Sequence, residues 1–387
     1  MQIAGIIAEF NPLHNGHKHL IDAAKNDGFQ VVCAISGNFV QRGDVSIVSK
    51  FKRAEMALEV GADAVVEIPV PWSMSTAQNF ALGGISQLLS LNIDTLYFGS
   101  ECGNVDLLCK ISEILLSDDF AIKIKNHLKE GKTFAKIRYE LMRDLIGKDA
   151  EVLNTPNDTL AIEYICAAKK LSANIEFTAI KRVGAGHNDI SPIEKYSNAT
   201  SIRNAIHKNN SEFINKYMPK EAIKILNNSP IADIERIDSA IMARLKLLKP
   251  KDFKLIPDIS EGLDRLIYKN IHRSFNFEDL SLLTKSKRYT MARIRRIILS
   301  AFLGISDSYF GTEPPYVRLL GFNQNFSKFI PKTSKKPIIT RVSQISTLDL
   351  KAKELFELEN LINEVYALSL NDPKKFIDER SAKLIIK

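Results

Sequence analysis

Nothing in the 387-residue sequence approaches the run of about 18 apolar residues that a membrane helix needs. A membrane-spanning role is therefore not expected. The opening stretch MQIAGIIAEFNPLHNGH is apolar only briefly. It has no basic start and no small-residue cleavage site, so it reads as a first strand rather than a secretion signal. Cysteine is scarce. Cys33, Cys102, Cys109 and Cys166 form no CxxC pair, and no His stands at zinc-finger spacing from them, which argues against a structural zinc. Without an export signal disulfides are not expected either, and reduced thiols in the cytoplasm are the simplest reading. Internal repeats and low-complexity tracts are missing, and two long segments of the second half contain no acidic residue.

What is present points to an α/β chain. Short apolar runs at 3–8, 31–35, 64–68, 95–98 and 175–180 stand between turn residues, as buried parallel strands do. Helical patterns occupy 17–25, 50–60 and 80–91, the second ended by Gly61 in a helix-stop position. The alternation predicts a doubly wound, Rossmann-like parallel sheet. Residues from about 105 to 150 read as a helical insertion before the last strand. After 206 the strand signals fade. Amphipathic helices are predicted within 212–247, 264–303 and 348–370, and the Pro-, Gly-, Asn- and Ser-rich stretch 311–347 reads as loops with short strands. The expected division is an α/β domain over 1–206 and a mainly helical, basic domain over 207–387.

The first strand runs directly into Glu9-Phe10-Asn11-Pro12-Leu13-His14-Asn15-Gly16-His17 and a helix. In an open parallel sheet this is where ligands bind, beside unpaired helix N–H groups that favour an anion. Pro12 fixes the turn, and Gly16 leaves room for a phosphate. His14 and His17, three apart, share one face of the first turn and can both donate to phosphate oxygens. A metal pair is the weaker reading, because no third ligand is evident nearby.

This HxGH pattern resembles the nucleotidylyltransferase superfamily, whose signature class I aminoacyl-tRNA synthetases share. Ala199-Thr200-Ser201-Ile202-Arg203 is similar to that superfamily's later SxTxIR element, in which hydroxyls and an Arg fork hold the triphosphate. A closer resemblance spans most of the chain: GIIAEFNPLHNGH, SGNFVQRG, SKFKRAEMALEVGAD, YFGSE, PND, KRVGAGHND and KSKRYTMARIRRIIL look like the bacterial tRNA(Met) cytidine acetate ligase family. That resemblance implies an enzyme that makes acetyl-adenylate from ATP and acetate. It implies transfer of the acetyl group to the N4 amine of the wobble cytidine of elongator tRNA(Met). Phosphate chemistry is compatible with Mg²⁺ on the nucleotide, although no carboxylate cluster in the sequence marks a protein site for it. The implied ATP contacts are Ile7, Ala8, Glu9, Phe10, Asn11, Pro12, Leu13, His14, Asn15, Gly16, His17, Lys18, His19 and Leu20, with Gly99, Asn157, Arg182, Thr200, Ser201 and Arg203. His14 and His17 are the implied catalytic pair. Asp158 departs from the family's usual PNN and carries no assignment.

The acid-free segment 281–300 holds Lys285, Lys287, Arg288, Arg293, Arg295 and Arg296, expected to bind tRNA. The acid-free segment 314–348 adds Arg318, Lys328, Lys332, Lys335, Lys336 and Arg341. Tyr289, Tyr316 and Phe322 are candidates to stack on unpaired bases. Two alternatives compete: a small-molecule adenylyltransferase, which would not need so large a basic extension, and a non-catalytic RNA-binding protein on a nucleotide-binding fold. Asp44, Lys50 and His187 stay open as acceptors of the cytidine proton.

Overall fold

The computed structural model describes residues 2–127, 133–182, 196–260, 262–331 and 334–387. Ten strands organise it: β1 (Ile3–Ala8), β2 (Gln30–Ser36), β3 (Phe39–Val40), β4 (Asp44–Val45), β5 (Ala64–Ile68), β6 (Thr95–Ser100), β7 (Glu176–Lys181), β8 (Val317–Phe322), β9 (Ile338–Ile339) and β10 (Ile385–Ile386). The main sheet runs β10-β8-β5-β2-β1-β6-β7, with β9 also paired to β8. From β5 to β7 every neighbouring pair is parallel. The chain builds outward from β1 through β2 to β5, then returns to the other side of β1 as β6. That reversal opens a crevice at the carboxyl ends of β1 and β6, the natural ligand site of such a sheet.

Side chains of β1 alternate between two cores, as strand geometry requires. Ile3 and Ile7 join Trp72, Phe80 and Leu88 on one face, whereas Ala4 and Ile6 join Ile21, Ile35 and Ala57 on the other. The helix Ala77–Leu89 lies close on β1, since a Cβ on Gly84 would come within 2.7 Å of the Ile7 side chain. The five sheet strands and three helices read from hydrophobic patterning are present with small boundary shifts. Helices Val105–Leu116, Asp118–His127 and Phe134–Ile146 occupy the region expected as an insertion. The crossover into β7 is completed by a helix the sequence did not make obvious, Pro156–Lys170.

The second half is not purely a helical attachment. Helices Asp238–Leu247, Leu263–Ile271, Phe277–Thr284 and Met291–Leu303 enclose a third core with Ile362 and Tyr366 of the helix Leu350–Ala367. Yet β8 pairs antiparallel with β5, and β10 then pairs with β8. The chain past residue 206 therefore completes the sheet begun before it. The reason is an edge: β5 would otherwise expose unpaired backbone groups, and β8 satisfies them. Short strands were foreseen in this stretch, but their partner was not.

The returning segment is pinned by buried charge. Lys50 is fully buried, and its Nζ lies 2.6 Å from carboxylate oxygens of both Glu67 and Glu379. Arg318 Nε donates to Glu379 Oε1 at 2.6 Å. Burial works against the Lys50 charge, but Glu379 and Glu67 outweigh it and hold the pKa above its ordinary value. Removing one member of such a cluster strands the others. Lys50→Met should cost about 3–5 kcal/mol, read as a lowered urea midpoint with an unchanged slope.

Candidate active site

The floor of the crevice is set by Arg53, which is fully buried. Its guanidinium donates to the carbonyls of Glu9 (2.7 Å), Ser36 (2.9 Å), Gly37 (2.6 Å) and Val48 (3.2 Å). The loops leaving β1 and β2 are thereby fixed to one side chain. Burial lowers the Arg53 pKa to about 10, so the charge persists at neutral pH. Asn11 Oδ1 accepts from Ile47 N at 2.7 Å. Phe10 sits at φ 47°, a conformation rare for a residue with a Cβ, and its buried ring meets the His17 ring edge-on at 4.9 Å. Such strain costs on the order of 1–3 kcal/mol and persists only where the surroundings enforce it.

His14 caps the helix Asn15–Asn26. Its Nδ1 accepts from Gly16 N at 3.1 Å, and His17 Nδ1 accepts in return from His14 N at 3.3 Å. The rings stack, with centroids 3.8 Å apart and planes 23° apart. An accepting Nδ1 leaves the proton of a neutral imidazole on Nε2. Each ring is thus a neutral N–H donor with a fixed tautomer. Burial, then Arg182 and Arg203, push the His14 pKa down to about 3. Burial, then His14 and Arg182, hold His17 well below its ordinary value.

Gly99 at the end of β6 lies under Arg182, whose Cγ would be 3.6 Å from an added Cβ. The β6 loop is locked to the helix Pro156–Lys170 by reciprocal caps. Glu101 Oε1 accepts from Asn157 Nδ2 at 2.6 Å, and Glu101 Oε2 accepts from Asp158 N at 3.0 Å. Buried Asp158 accepts from Glu101 N at 3.0 Å, Cys102 N at 3.1 Å and the Ser100 hydroxyl. The residue left unassigned by the family pattern is thus the acceptor that orders this loop. At the other wall, Asn198 caps the helix Ala199–His207. Arg203 donates to Asn11 O at 2.8 Å and Thr200 Oγ1 at 3.1 Å, and Arg42 reaches the same hydroxyl at 3.4 Å.

These elements enclose a cavity of about 270 Å³. Of the residues the family resemblance implies as ATP contacts, Ile7, Ala8, Glu9, Asn11, His14, Gly16, His17, His19, Leu20, Gly99, Asn157 and Arg182 line it. Phe10, Pro12 and Leu13 are buried behind it, and Lys18 turns outward to Asp22. The Asn15 side chain donates to Lys216 O. Thr200, Ser201 and Arg203 stand beside the lining. Sequence reasoning missed Gln41, Arg42, Phe80, Leu160, Tyr164 and Tyr196, which also line the cavity. The VQRG motif was visible, but only folding brings its hairpin to the cleft.

Several expectations need correction. Tyr289 and Tyr316 are buried, and Phe322 belongs to β8, so the two tyrosines have no free face for a base. Arg295 donates to Gly43 O and Glu278, Arg296 to Gln41 O and Asp258, and Arg293 to Asp258 O and Ser260. Arg295 and Arg296 brace their helix against the β3–β4 hairpin, and Arg293 ties it to the 258–260 loop. Arg318 is held by Glu379 and Lys336 by Glu313. Lys285, Lys287 and Arg288 are exposed on the loop before that helix, and Lys335 and Arg341 are also exposed. Lys50 is enclosed in the charge cluster, and Asp44 pairs with Arg295 at 3.4 Å. His187, Lys332 and residues 183–189 of the KRVGAGHND motif lie outside the described residues. All four thiols are free. Among the described residues no helix is long and apolar enough to cross a membrane, and no group of three or more His, Cys, Asp or Glu has metal-holding geometry.

Two neutral imidazole donors at a helix start, flanked by Arg182 and Arg203 at a sheet reversal, define a nucleotidyl-transfer cleft. The HIGH Nucleotidyl Transferase family model matches residues 1–381. The tRNA(Met) cytidine acetate ligase of Caldanaerobacter subterraneus subsp. tengcongensis is 40% identical over 95% of this chain and 96% of its own. That of Clostridium perfringens is 35% identical over 95% and 99%. The crystal structure of Thermotoga maritima TmcAL without ligand superposes with a TM-score of 0.93 at 27% identity, and that bound with alpha-thio ATP with 0.91 at 26%, each covering both chains completely. The chain belongs to the tRNA(Met) cytidine acetate ligase family.

The histidines make stability pH-dependent in a definite direction. Their folded pKa values lie below the unfolded value of about 6.5, so the unfolded chain takes up protons first as pH falls. Their contribution is complete above about pH 6.5 and declines toward pH 3, by at most about 1.4 kcal/mol per pH unit for each. The double variant His14→Asn/His17→Asn keeps a capping side chain and should flatten unfolding free energy against pH between about 6.5 and 4.

Proposed function

We propose that the protein activates acetate with ATP and passes the acetyl group to the N4 amine of the wobble cytidine of elongator tRNA(Met), giving N4-acetylcytidine. The observation that carries this reading is the fixed pair of Nε2–H donors between Arg182 and Arg203. In the first step an acetate oxygen attacks the α-phosphorus of ATP, the bond to the bridging oxygen breaks, and pyrophosphate leaves. His14 and His17 donate to the α-phosphate oxygens, where charge builds in the transition state. Their geometry is set before substrate arrives, so little reorganisation is needed. Arg203 and Thr200 hold the departing pyrophosphate. Gly99, Asn157 and Arg182 receive the nucleoside end. Mg²⁺ bound with the nucleotide would supply further charge neutralisation at the phosphates, beside His14, His17 and Arg203. Two named relatives and the match to TmcAL bound with alpha-thio ATP support ATP as substrate. They favour this reading over a small-molecule adenylyltransferase.

The tRNA is held by the basic side of the helical part, in the cytoplasm. Lys285, Lys287 and Arg288 project from the loop between helices Phe277–Thr284 and Met291–Leu303. The second of these helices rests on the hairpin whose Gln41 and Arg42 line the cleft. RNA bound at the loop therefore lies on an element joined to the adenylate site.

His17→Ala should abolish acetate-dependent pyrophosphate release while weakening ATP binding only modestly; turnover at the normal rate would rule out its role. Lys285→Glu with Lys287→Glu should weaken tRNA binding at least tenfold and make its salt dependence shallower, leaving acetate-dependent ATP–pyrophosphate exchange intact. Arg295→Glu should instead lower thermal stability, because it breaks the hairpin contact.

A further inference from the structure

Among the described residues, the cleft that takes the polyanion is lined by one carboxylate. Glu9 is the only Asp or Glu among the described residues lining it, amid His14, His17, Arg42, Lys181 and Arg182. A carboxylate there repels both ATP and acetate, so its presence calls for a reaction that uses it. Its position is deliberate: Arg53 holds the Glu9 carbonyl at 2.7 Å, and Glu9 Oε1 accepts from Gln41 N at 2.9 Å. Its other oxygen, Oε2, accepts no hydrogen bond from the described residues.

The second step needs a proton acceptor. An exocyclic cytidine amine cannot keep two protons and a new acyl bond at neutral charge. The histidines are unsuited, since each Nδ1 already accepts a backbone N–H and each Nε2 is a donor. Arg42, Lys181 and Arg182 are cations, and the Tyr164 phenol is buried. Lys50 is enclosed in its ion-pair cluster, and Asp44 is paired with Arg295 and is not among the residues lining the cleft.

We infer that Glu9 is the general base of acetyl transfer, taking the N4 proton of the cytidine as it attacks acetyl-adenylate. The N4 lone pair forms a bond to the acetyl carbonyl carbon. The bond from that carbon to the phosphate oxygen breaks and AMP leaves as its anion. The N4 proton passes to Glu9 and later to water. This assignment rests on the proposed tRNA acetylation.

The test uses the full chain with an unmodified elongator tRNA(Met) transcript. Acetate-dependent ATP–pyrophosphate exchange measures the first step, trapping with hydroxylamine measures acetyl-adenylate, and acetyl incorporation into tRNA measures the second. Glu9→Gln keeps the acceptor for Gln41 N. The ratio of acetyl transfer to exchange should fall at least about 100-fold, with trapped acetyl hydroxamate still formed. Glu9→Asp should recover part of the transfer. An unchanged ratio, whether both steps fall together or neither falls, overturns the assignment. If the unaltered protein exchanges pyrophosphate but acetylates no tRNA, the functional reading itself fails, independently of Glu9.

Discussion

Arg53 lies under the cleft with no exposed surface, and its donors run to carbonyls of two strand ends and the loop after them. A guanidinium taken out of water is stable only when its N–H groups are met. Here backbone oxygens meet them, and in doing so they fix where β1 and β2 end. The HxGH loop starts from Glu9, one of those anchored residues. Without that fixed departure point, the caps that set the tautomers of His14 and His17 would have no common frame.

The cleft is also coupled to the helical part. Gly43, at φ 73°, is the turn of the β3–β4 hairpin. A Cβ there would lie 2.6 Å from the Arg295 Cβ and 2.7 Å from the Arg296 nitrogen. The hairpin thus presses its backbone directly onto the helix that follows the basic loop. Arg295 and Arg296 close the contact from either side. Their charge serves this junction, so a basic run in sequence became an internal clamp, and only its first three members face outward.

The site combines neutral donors with neighbouring cations. Protonated histidines would bind phosphate more tightly in the ground state, but they would also repel Arg182 and Arg203. Burial keeps them neutral, and their value lies in direction rather than charge. Glu9 fits the same economy: as inferred above, the one carboxylate among the described lining residues is held where the N4 proton is received.

Much of this was legible in the chain. The parallel strands showed as apolar runs because both faces are covered, and the capped helix start showed as HxGH because a helix start and its caps are local in sequence. The family resemblance rested on the same local motifs. Local signals stop at the turn or helix that carries them. Nothing in the run 281–300 told Lys285 from Arg295, since their fates depend on a hairpin some 250 residues earlier. Tyr289 and Tyr316 looked available until packing buried them. The pairing of β8 with β5, the Lys50 cluster and the placing of Glu9 amid the cleft's cations arise from contacts between distant segments. Sequence by itself determined the strand-loop-helix and its capping histidines, because backbone geometry and capping act over a few residues. Tertiary structure decided which charges remain free to act, because burial and ion pairing depend on what folds against them.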